Sequence, residues 1–153
     1  MAWEKEAGIQ KLARFCAYQE RARTELLQKL RKLECPEEEW DEMVAEMERM
    51  NFWNEERFAR SFVRGKFRQK GWGKVKIRQA LYMKGVDDGL VQVTLDEEIS
   101  MEAYRERARE EFEKKAMGKD LSDPGQRNKV YTSLVARGYE QGLVVELMKG
   151  ENQ

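Results

Sequence analysis

The chain has 153 residues, of which 41% are hydrophobic and 38% are charged, and its 29 Lys and Arg residues balance its 29 Asp and Glu residues. This length suits one ordinary domain or a few small repeats, and the periodic apolar residues argue against a disordered chain. Because the sequence contains no histidine, catalytic triads, proton relays and metal sites that depend on histidine are excluded. No phosphate-binding glycine loop is present either, so we expect a protein that is not an enzyme and that uses no cofactor or metal.

The chain contains two cysteines, Cys16 and Cys35. They imply no disulfide framework, and we expect a reducing, cytoplasmic environment. Cys16 is in phase with the apolar residues of the first helix and should be buried. Cys35 precedes a helix start, where the helix dipole favours a thiolate. No run of residues approaches the length of a membrane span, and the N-terminus lacks the apolar core of a signal peptide, so no membrane association is expected.

The first third of the chain predicts three amphipathic helices, in each of which apolar residues recur at three- and four-residue spacing. Pro36 suits the first turn of the third helix, and the three glutamates after it complement the positive end of the helix dipole. The apolar residues of the three stripes are Ile9, Leu12, Ala13 and Cys16, then Leu26, Leu27, Leu30 and Leu33, then Trp40, Met43, Val44 and Met47.

The middle of the chain predicts three more helices. Asn54 is a suitable N-cap for a helix that runs to Lys70 and is stopped by Gly71. A shorter helix follows and stops at Gly85. The acidic pair within residues 86–88 then opens a third helix, since acidic residues are favourable in the first turn.

The last third of the chain repeats this organisation. Ser100 is placed to cap a long helix, whose inward face carries aromatic residues at positions 104 and 112. Asp123 and Pro124 open a second helix that ends at Gly138, and apolar residues at 143–147 complete a third. Nine helices are therefore predicted, and no strand pattern competes with them.

Three segments of the chain resemble one another: residues 25–30, 76–81 and 129–134. Each has an aliphatic residue four positions before a leucine, and the copies lie 51 and then 53 residues apart. A period near 50 residues is typical of a supersecondary unit stacked on copies of itself. We therefore predict an all-α, elongated helical repeat protein made of three tandem three-helix modules. The module boundaries that we predict are 1–53, 54–98 and 99–153.

Charge is sorted into blocks along the chain. Residues 57–85, here called the basic segment, contain ten Lys or Arg residues and no Asp or Glu. Residues 34–56 contain ten acidic residues against Arg49 alone, and residues 87–113 contain ten acidic residues against three arginines. Strong local fields of this kind select binding partners and do not determine the fold. The basic segment is therefore the candidate interface.

The first part of the basic segment has a helical geometry. At about 100° per residue, the phenylalanines at positions 58 and 62 gather with Val63 on one side of a helix. The arginines of the opposite side are Arg57, Arg60, Arg64 and Arg68. Four like charges at this spacing repel one another, which favours an acidic or polyanionic partner; the alternative is an ordinary solvated face. The candidate residues for binding a partner or nucleic acid are Arg57, Arg60, Arg64, Lys66, Arg68, Lys70, Trp72, Lys74, Lys76, Arg78 and Lys84.

Trp72 lies in a predicted turn between Gly71 and Gly73, surrounded in sequence by lysines and arginines. An aromatic ring beside cations can stack on an unpaired base, a contact worth about 1–3 kcal/mol per base. The alternative is that the ring packs into the core, as we expect for Phe67. The sequence leaves both interpretations of Trp72 open.

In combination, several motifs resemble the RecX family of bacterial regulatory proteins, which modulate the RecA recombinase. Residues 21–30 resemble the family's entry into its second helix, and residues 54–63 resemble its Asn/Asp-Asp-x-x-Phe-Ala-x-x-Tyr/Phe-Val motif, with Glu55 in place of the usual Asp. Residues 70–86 resemble its Gly-x-x-x-Ile-x-x-x-Leu-x-x-Lys-Gly-Ile core. The likeness covers nearly the whole chain and is weaker in the first module, where Glu34 stands where the family often has Gly.

The resemblance implies a curved, elongated helical protein, expected as a monomer, that binds in the groove of a RecA–DNA nucleoprotein filament. It implies inhibition or modulation of the filament's ATPase, strand exchange and co-protease activities, with roles in DNA recombination, DNA repair and the SOS response. Some members of the family also bind DNA alone, so autonomous binding of single- or double-stranded DNA is the alternative function. The acidic flanks favour the filament regulator, because a plain DNA binder would gain from positive charge along all its modules.

Overall fold

The computed structural model of the protein describes residues 2–150, and over this range the chain forms nine α-helices and no strand. The all-α class predicted from apolar periodicity is confirmed. None of these helices is long and apolar enough to cross a membrane. The helices are α1 (Lys5–Tyr18), α2 (Arg23–Lys32), α3 (Trp40–Arg49), α4 (Glu55–Arg64), α5 (Lys74–Met83), α6 (Asp88–Glu98), α7 (Met101–Ala116), α8 (Pro124–Ala136) and α9 (Gln141–Gly150).

The chain divides into two compact units, each assembled from two stretches of sequence. The first unit contains the residues up to Phe62 together with Leu81–Val91, and the second unit contains Val63–Ala80 together with the residues from Gln92 onward. The boundaries therefore fall inside helices α4, α5 and α6. The division into three modules at 53/54 and 98/99 stays a prediction.

The core of the first unit is formed by α1, α2 and α3, which pack on one another. Its residues are the apolar stripes that the sequence predicts, and Leu12, Leu26 and Met43 have no exposed surface. Trp53 closes this core, and its indole N–H donates to the carbonyl of Arg21 at 2.9 Å. A buried indole thus has its one polar group satisfied, as its burial requires.

The three sequence copies end in the same backbone structure. In each copy, the amide five positions after the aligned leucine donates a hydrogen bond to that leucine's carbonyl, which is a common way to end a helix. The three bonds are Cys35 to Leu30 (3.0 Å), Val86 to Leu81 (3.1 Å) and Tyr139 to Leu134 (3.2 Å). The residue before each donor has a positive φ: Glu34 (63°), Gly85 (78°) and Gly138 (107°). The repeat inferred from sequence is therefore a repeat of backbone geometry, and it includes the copy that lacks glycine.

The core of the second unit is formed largely by α7, α8 and α9. Ser100 caps α7 by accepting from the amide of Ala103 at 3.0 Å, and Asp123 caps α8 by accepting from the amide of Gln126 at 3.1 Å. The sequence predicts the cap at Ser100 and a helix start at Asp123 and Pro124. Phe112 of α7 is among the most buried side chains of this unit. Arg107 of α7 and two residues that follow α8, Arg137 and Tyr139, hold the turn around Trp72 that is described next.

Candidate nucleic-acid and partner interface

The helix predicted to run from Asn54 to Lys70 is not α-helical throughout. After α4 ends at Arg64, a π-helical turn spans Gly65–Gln69, and the amide of Lys70 donates to the carbonyl of Gly65 at 3.3 Å. Gly71 then ends the helical run at φ 68°, as predicted. Because a π turn holds more residues than an α turn, each residue of this segment rotates by less than the about 100° assumed when the four arginines were placed on one face. Turns of this kind occur often at functional sites.

Arg57, in the first unit, contacts the protein itself. Its Nε donates to both carboxylate oxygens of Glu20, at 2.6 and 2.9 Å. Its Nη1 and Nη2 donate to the side-chain and backbone oxygens of Asn51, and Nη2 also donates to the carbonyl of Phe52. One guanidinium therefore ties the start of α4 to the turn that follows α3. This geometry gives Arg57 a structural role.

Arg60 and Lys84, also in the first unit, have partners within it. Arg60 forms an ion pair with Glu56, one helical turn earlier, at 3.1 Å. The ammonium of Lys84 lies 5.8 Å from the centroid of the Phe62 ring. Exposed pairs of this kind contribute little to stability, about 0.3–0.5 kcal/mol for a pair within one helix. They do, however, supply Arg60 with a counter-charge.

Arg64, in the second unit, forms a two-pronged ion pair with Glu98. Nε lies 2.5 Å from one carboxylate oxygen and Nη2 lies 3.0 Å from the other. The Glu98 side chain is only 9% exposed. Together with Arg57 and Arg60, this pair corrects the sequence argument from like-charge repulsion, because glutamates outside the basic segment form ion pairs with three of the four arginines.

A second group of cations lacks such compensation. Among residues 2–150, no carboxylate lies within ion-pair distance of the exposed side chains of Arg68, Lys70 and Arg78. Arg78 instead approaches the amide oxygen of Gln92 at 3.4 Å. The ammonium of Lys74 lies 4.6 Å from the centroid of the Tyr104 ring. The uncompensated positive charge of the basic segment therefore lies within residues 68–78, in the second unit.

Trp72 lies in the same unit, between Lys70 and Lys74 in sequence. Its side chain is partly exposed, and the ammoniums of Lys66 and Lys76 lie 4.7 and 4.3 Å from the centroid of its ring. Cations at this distance are attracted by the ring's negative face. Phe67, by contrast, is buried, as expected from the sequence. The partial exposure of Trp72 keeps both interpretations of its role open.

The turn that carries Trp72 is held by side chains of the second unit that the sequence analysis did not single out. Arg107 of α7 donates to the carbonyl of Arg68 at 2.9 Å, and Arg137 donates to the carbonyl of Lys70 at 2.8 Å. The hydroxyl of Tyr139 donates to the carbonyl of Gly71 at 2.8 Å. Three of the four carbonyls of residues 68–71, at the end of the helical run, thus accept hydrogen bonds from side chains.

The start of α5 is held equally firmly. The amide of Gly73 donates to the carbonyl of Arg137 at 3.0 Å, and the amide of Val75 donates to the carbonyl of Gly138 at 2.9 Å. The amide of Lys74 donates to the hydroxyl of Tyr104 at 3.0 Å. These contacts occupy amides that a helix N-terminus would otherwise offer to an anion. An anion that binds near Trp72 must therefore be bound by side chains.

Glu111 anchors the arginine that holds this turn. Its carboxylate is 3% exposed and accepts from Arg137 Nε at 3.0 Å, with the ammonium of Lys114 at 3.6 Å. Burial, and then the Glu111 charge, raise the pKa of the nearby Tyr139 hydroxyl, which stays protonated and able to donate. No local pattern reveals this network, because its members lie on three separate helical segments.

The fold and this turn define an all-α protein of repeated helical units that presents a basic surface around a tryptophan. A family model described as RecX, second three-helix domain, matches residues 54–95. The regulatory protein RecX of Ectopseudomonas mendocina (strain ymp) is 30% identical over 146 residues, which cover 95% of this chain and 93% of that protein. The regulatory protein RecX of Streptomyces coelicolor is 27% identical over 130 residues, covering 84% of this chain and 69% of that protein.

The crystal structure of RecX from Lactobacillus salivarius has the same fold, with a TM-score of 0.81 over 95% of this chain and 94% of that one, at 23% identity. The chain belongs to the RecX family. Its relatives are named regulatory proteins, which implies a regulatory role.

Proposed function

We propose that this protein is a non-catalytic regulator that binds the RecA–DNA nucleoprotein filament and modulates its ATPase, strand exchange and co-protease activities. Membership of the RecX family carries the proposal. In this role the protein acts as a monomer in the cytoplasm, where recombinase and DNA are found together, and contributes to recombination, repair and the SOS response.

The distribution of charge in the second unit supports this function. Arg68, Lys70 and Arg78 are exposed and lack carboxylate partners among the described residues, so their positive charge is available to a partner. A nucleoprotein filament offers both acidic protein surface and phosphate. Arg64, which is paired with Glu98, is a weaker candidate for such a contact. We therefore assign partner binding chiefly to residues 68–78 of the basic segment.

Autonomous DNA binding is the second candidate function. The observation that favours it is the pair of ammoniums near the partly exposed Trp72 ring, since basic grooves with aromatic side chains are typical of proteins that bind single strands. The two functions are compatible, because a filament regulator can also contact the filament's DNA.

The test is the DNA-dependent ATPase rate of the cognate RecA recombinase, measured with increasing amounts of this protein. We expect a saturable change in rate, and no ATP hydrolysis by this protein alone. The matched variant is Arg68→Gln with Lys70→Gln, which leaves every described ion pair intact. This variant should need a higher concentration for the same effect. An unchanged recombinase rate at saturating wild-type protein would refute the proposed function.

A further inference from the structure

The surroundings of Trp72 differ from those of the paired arginines in a way that identifies a ligand. The ring lies near two ammoniums, those of Lys66 at 4.7 Å and Lys76 at 4.3 Å from its centroid. Elsewhere in the basic segment, guanidiniums bind carboxylates, as Arg57 does with Glu20 and Arg64 with Glu98. The planar guanidinium fork suits two-pronged carboxylate binding, whereas a lysine ammonium is a point charge on a flexible stem.

The backbone around Trp72 is also preorganised. The carbonyls before it accept from Arg137 at 2.8 Å and from Tyr139 at 2.8 Å, and the amide after it donates to the carbonyl of Arg137 at 3.0 Å. The turn is therefore held on both sides of the tryptophan by hydrogen bonds. A ligand that binds the ring does not need to order this backbone, which removes one of the usual costs of association.

A partly exposed indole on a hydrogen-bonded turn, with two lysine ammoniums near its ring, matches the chemistry of a nucleobase with its flanking phosphates. Every base has a π face that can stack on an aromatic ring, and the phosphates on either side can bind ammoniums. An acidic protein surface offers carboxylates, which have no comparable use for the ring. A duplex keeps its bases stacked inside, so only an unpaired strand can satisfy both parts of the site.

We propose that Trp72 stacks on an unpaired base of a single-stranded nucleic acid while Lys66 and Lys76 bind the neighbouring phosphates. This inference rests on the proposed function in that it identifies which component of a nucleoprotein partner the surface contacts. On binding, the two ammoniums exchange the contacts that they make in the free protein for phosphates, which their flexible stems permit. Arg68 and Lys70, which adjoin the site in sequence, extend its positive charge.

The first experiment uses the unaltered protein, so it does not depend on how a variant folds. Fluorescence anisotropy measures binding to a dye-labelled oligothymidylate, to a strand of equal length with abasic sugars, and to the corresponding duplex. Stacking predicts affinity for the thymidylate about 5- to 100-fold above that for the abasic strand, the range that one stacked base supplies. Equal affinity for the two strands would overturn the proposal, as would a preference for the duplex.

The second experiment changes the site. Trp72→Leu should lose the preference for bases over abasic sugars, and Trp72→Phe should retain most of it. Lys66→Gln and Lys76→Gln should each lower the slope of log K against log salt by about 0.7 for a single strand. Lys129→Gln is the matched control, because the structure describes no contact between this exposed lysine of α8 and Trp72, Lys66 or Lys76. If Trp72→Leu and the wild-type protein prefer the thymidylate over the abasic strand to the same extent, the ring contacts no base.

The two proposals fail separately. If recombinase ATPase responds to wild-type protein and Trp72→Leu equally, while neither protein distinguishes thymidylate from abasic strands, the stacking site is wrong and the proposed function stands. If the recombinase does not respond to wild-type protein, the proposed function is wrong, and the oligonucleotide comparison alone decides the stacking site. If Trp72→Leu weakens only the response of the filament, the surface contacts acidic protein, and the stacking proposal is overturned.

Discussion

Gly73 and Gly138 lie in backbone contact within the second unit. A Cβ atom added to Gly73 would lie 2.3 Å from both the carbonyl carbon and the carbonyl oxygen of Gly138. The amide of Gly73 donates to the residue before Gly138, and the amide of Val75 donates to Gly138 itself. The turn that carries Trp72 therefore needs glycine at both positions to contact the end of α8. A side chain at position 73 would separate the two backbones, and a Cβ atom at position 138 would lie 2.8 Å from the amide nitrogen of Lys76.

The first prediction follows from this contact. Gly73→Ala should lower the free energy of unfolding by about 1–3 kcal/mol or more, since backbone atoms rather than a flexible side chain must move. Thermal or urea unfolding measures the change. Gly142→Ala is the control, because nothing lies within 4 Å of the Cβ position there. Equal stability of Gly73→Ala and the wild type would mean that the two backbones are farther apart than described.

The second prediction concerns Glu34, which occupies the position taken by glycine in the other two copies of the repeat. Its φ of 63° is unfavourable for a residue with a Cβ atom. Glu34→Gly should raise the free energy of unfolding by about 0.5–1 kcal/mol. Glu34→Ala removes the same side-chain contacts but keeps the Cβ, so it should give no such gain. If alanine stabilises as much as glycine, backbone strain is not the cause.

The third prediction separates the structural arginines from the exposed ones. Arg57→Gln should lower the free energy of unfolding by about 1–3 kcal/mol, because the carboxylate of Glu20 and the backbone oxygens of Asn51 and Phe52 lose a charged donor. Arg68→Gln should change it by less than about 0.5 kcal/mol. The comparison is made by urea unfolding of the two variants side by side. Similar stabilities would mean that Arg57 is as dispensable as an ordinary surface residue.

The fourth prediction tests the buried carboxylate. Arg137→Met leaves the buried Glu111 carboxylate with Lys114, at 3.6 Å, as its remaining described ion-pair partner, and should cost about 3–5 kcal/mol of stability. Changing Glu111 to Gln in the same protein removes the uncompensated charge and should recover part of this loss. Unfolding of the two single variants and the double variant forms a double-mutant cycle. Additive losses would contradict a direct interaction between the two side chains.

The fifth prediction concerns pH. Burial raises the pKa of the Cys16 thiol to about 11. The pKa of the Cys35 thiol is also raised, first by burial and then by the negative charges of Glu39, Glu38 and Glu42. The thiolate expected at Cys35 is therefore not favoured. From the ordinary pKa of 9.0 up to about 11, the unfolded chain releases the Cys16 proton while the folded protein keeps it. The contribution of the Cys16 thiol to the free energy of unfolding is therefore fully present below pH 9, and it is lost as the pH rises through this window.

Unfolding free energies measured from pH 8 to 11 should fall less steeply in Cys16→Ala than in the wild type. The difference between the two proteins isolates this thiol, because the tyrosines with raised pKa values are common to both. In addition, a thiol reagent at pH 8 should modify the native protein much more slowly than the unfolded chain. Identical pH slopes would mean that Cys16 titrates alike in both states.

Helix positions, helix ends and the repeat could be predicted from the sequence because each depends on residues within one or two turns. Ser100 and Asp123 cap their helices as expected, and Gly71, Gly85 and Gly138 have the positive φ values that their predicted stop positions require. The π turn after Arg64 was missed, since the apolar spacing of Phe62 and Phe67 is compatible with either type of turn.

The amino-acid sequence by itself determined the all-α class, the repeated helix ends and the location of the excess positive charge, all of which follow from local periodicity and composition. Only the tertiary structure decided which cations are already neutralised. Arg57 meets Glu20 and Arg64 meets Glu98 across 37 and 34 residues of sequence. Likewise, Arg137 and Tyr139 reach the backbone of Lys70 and Gly71 from 67 and 68 residues away. Such contacts depend on how helices pack, and no pattern along a single helix specifies that packing.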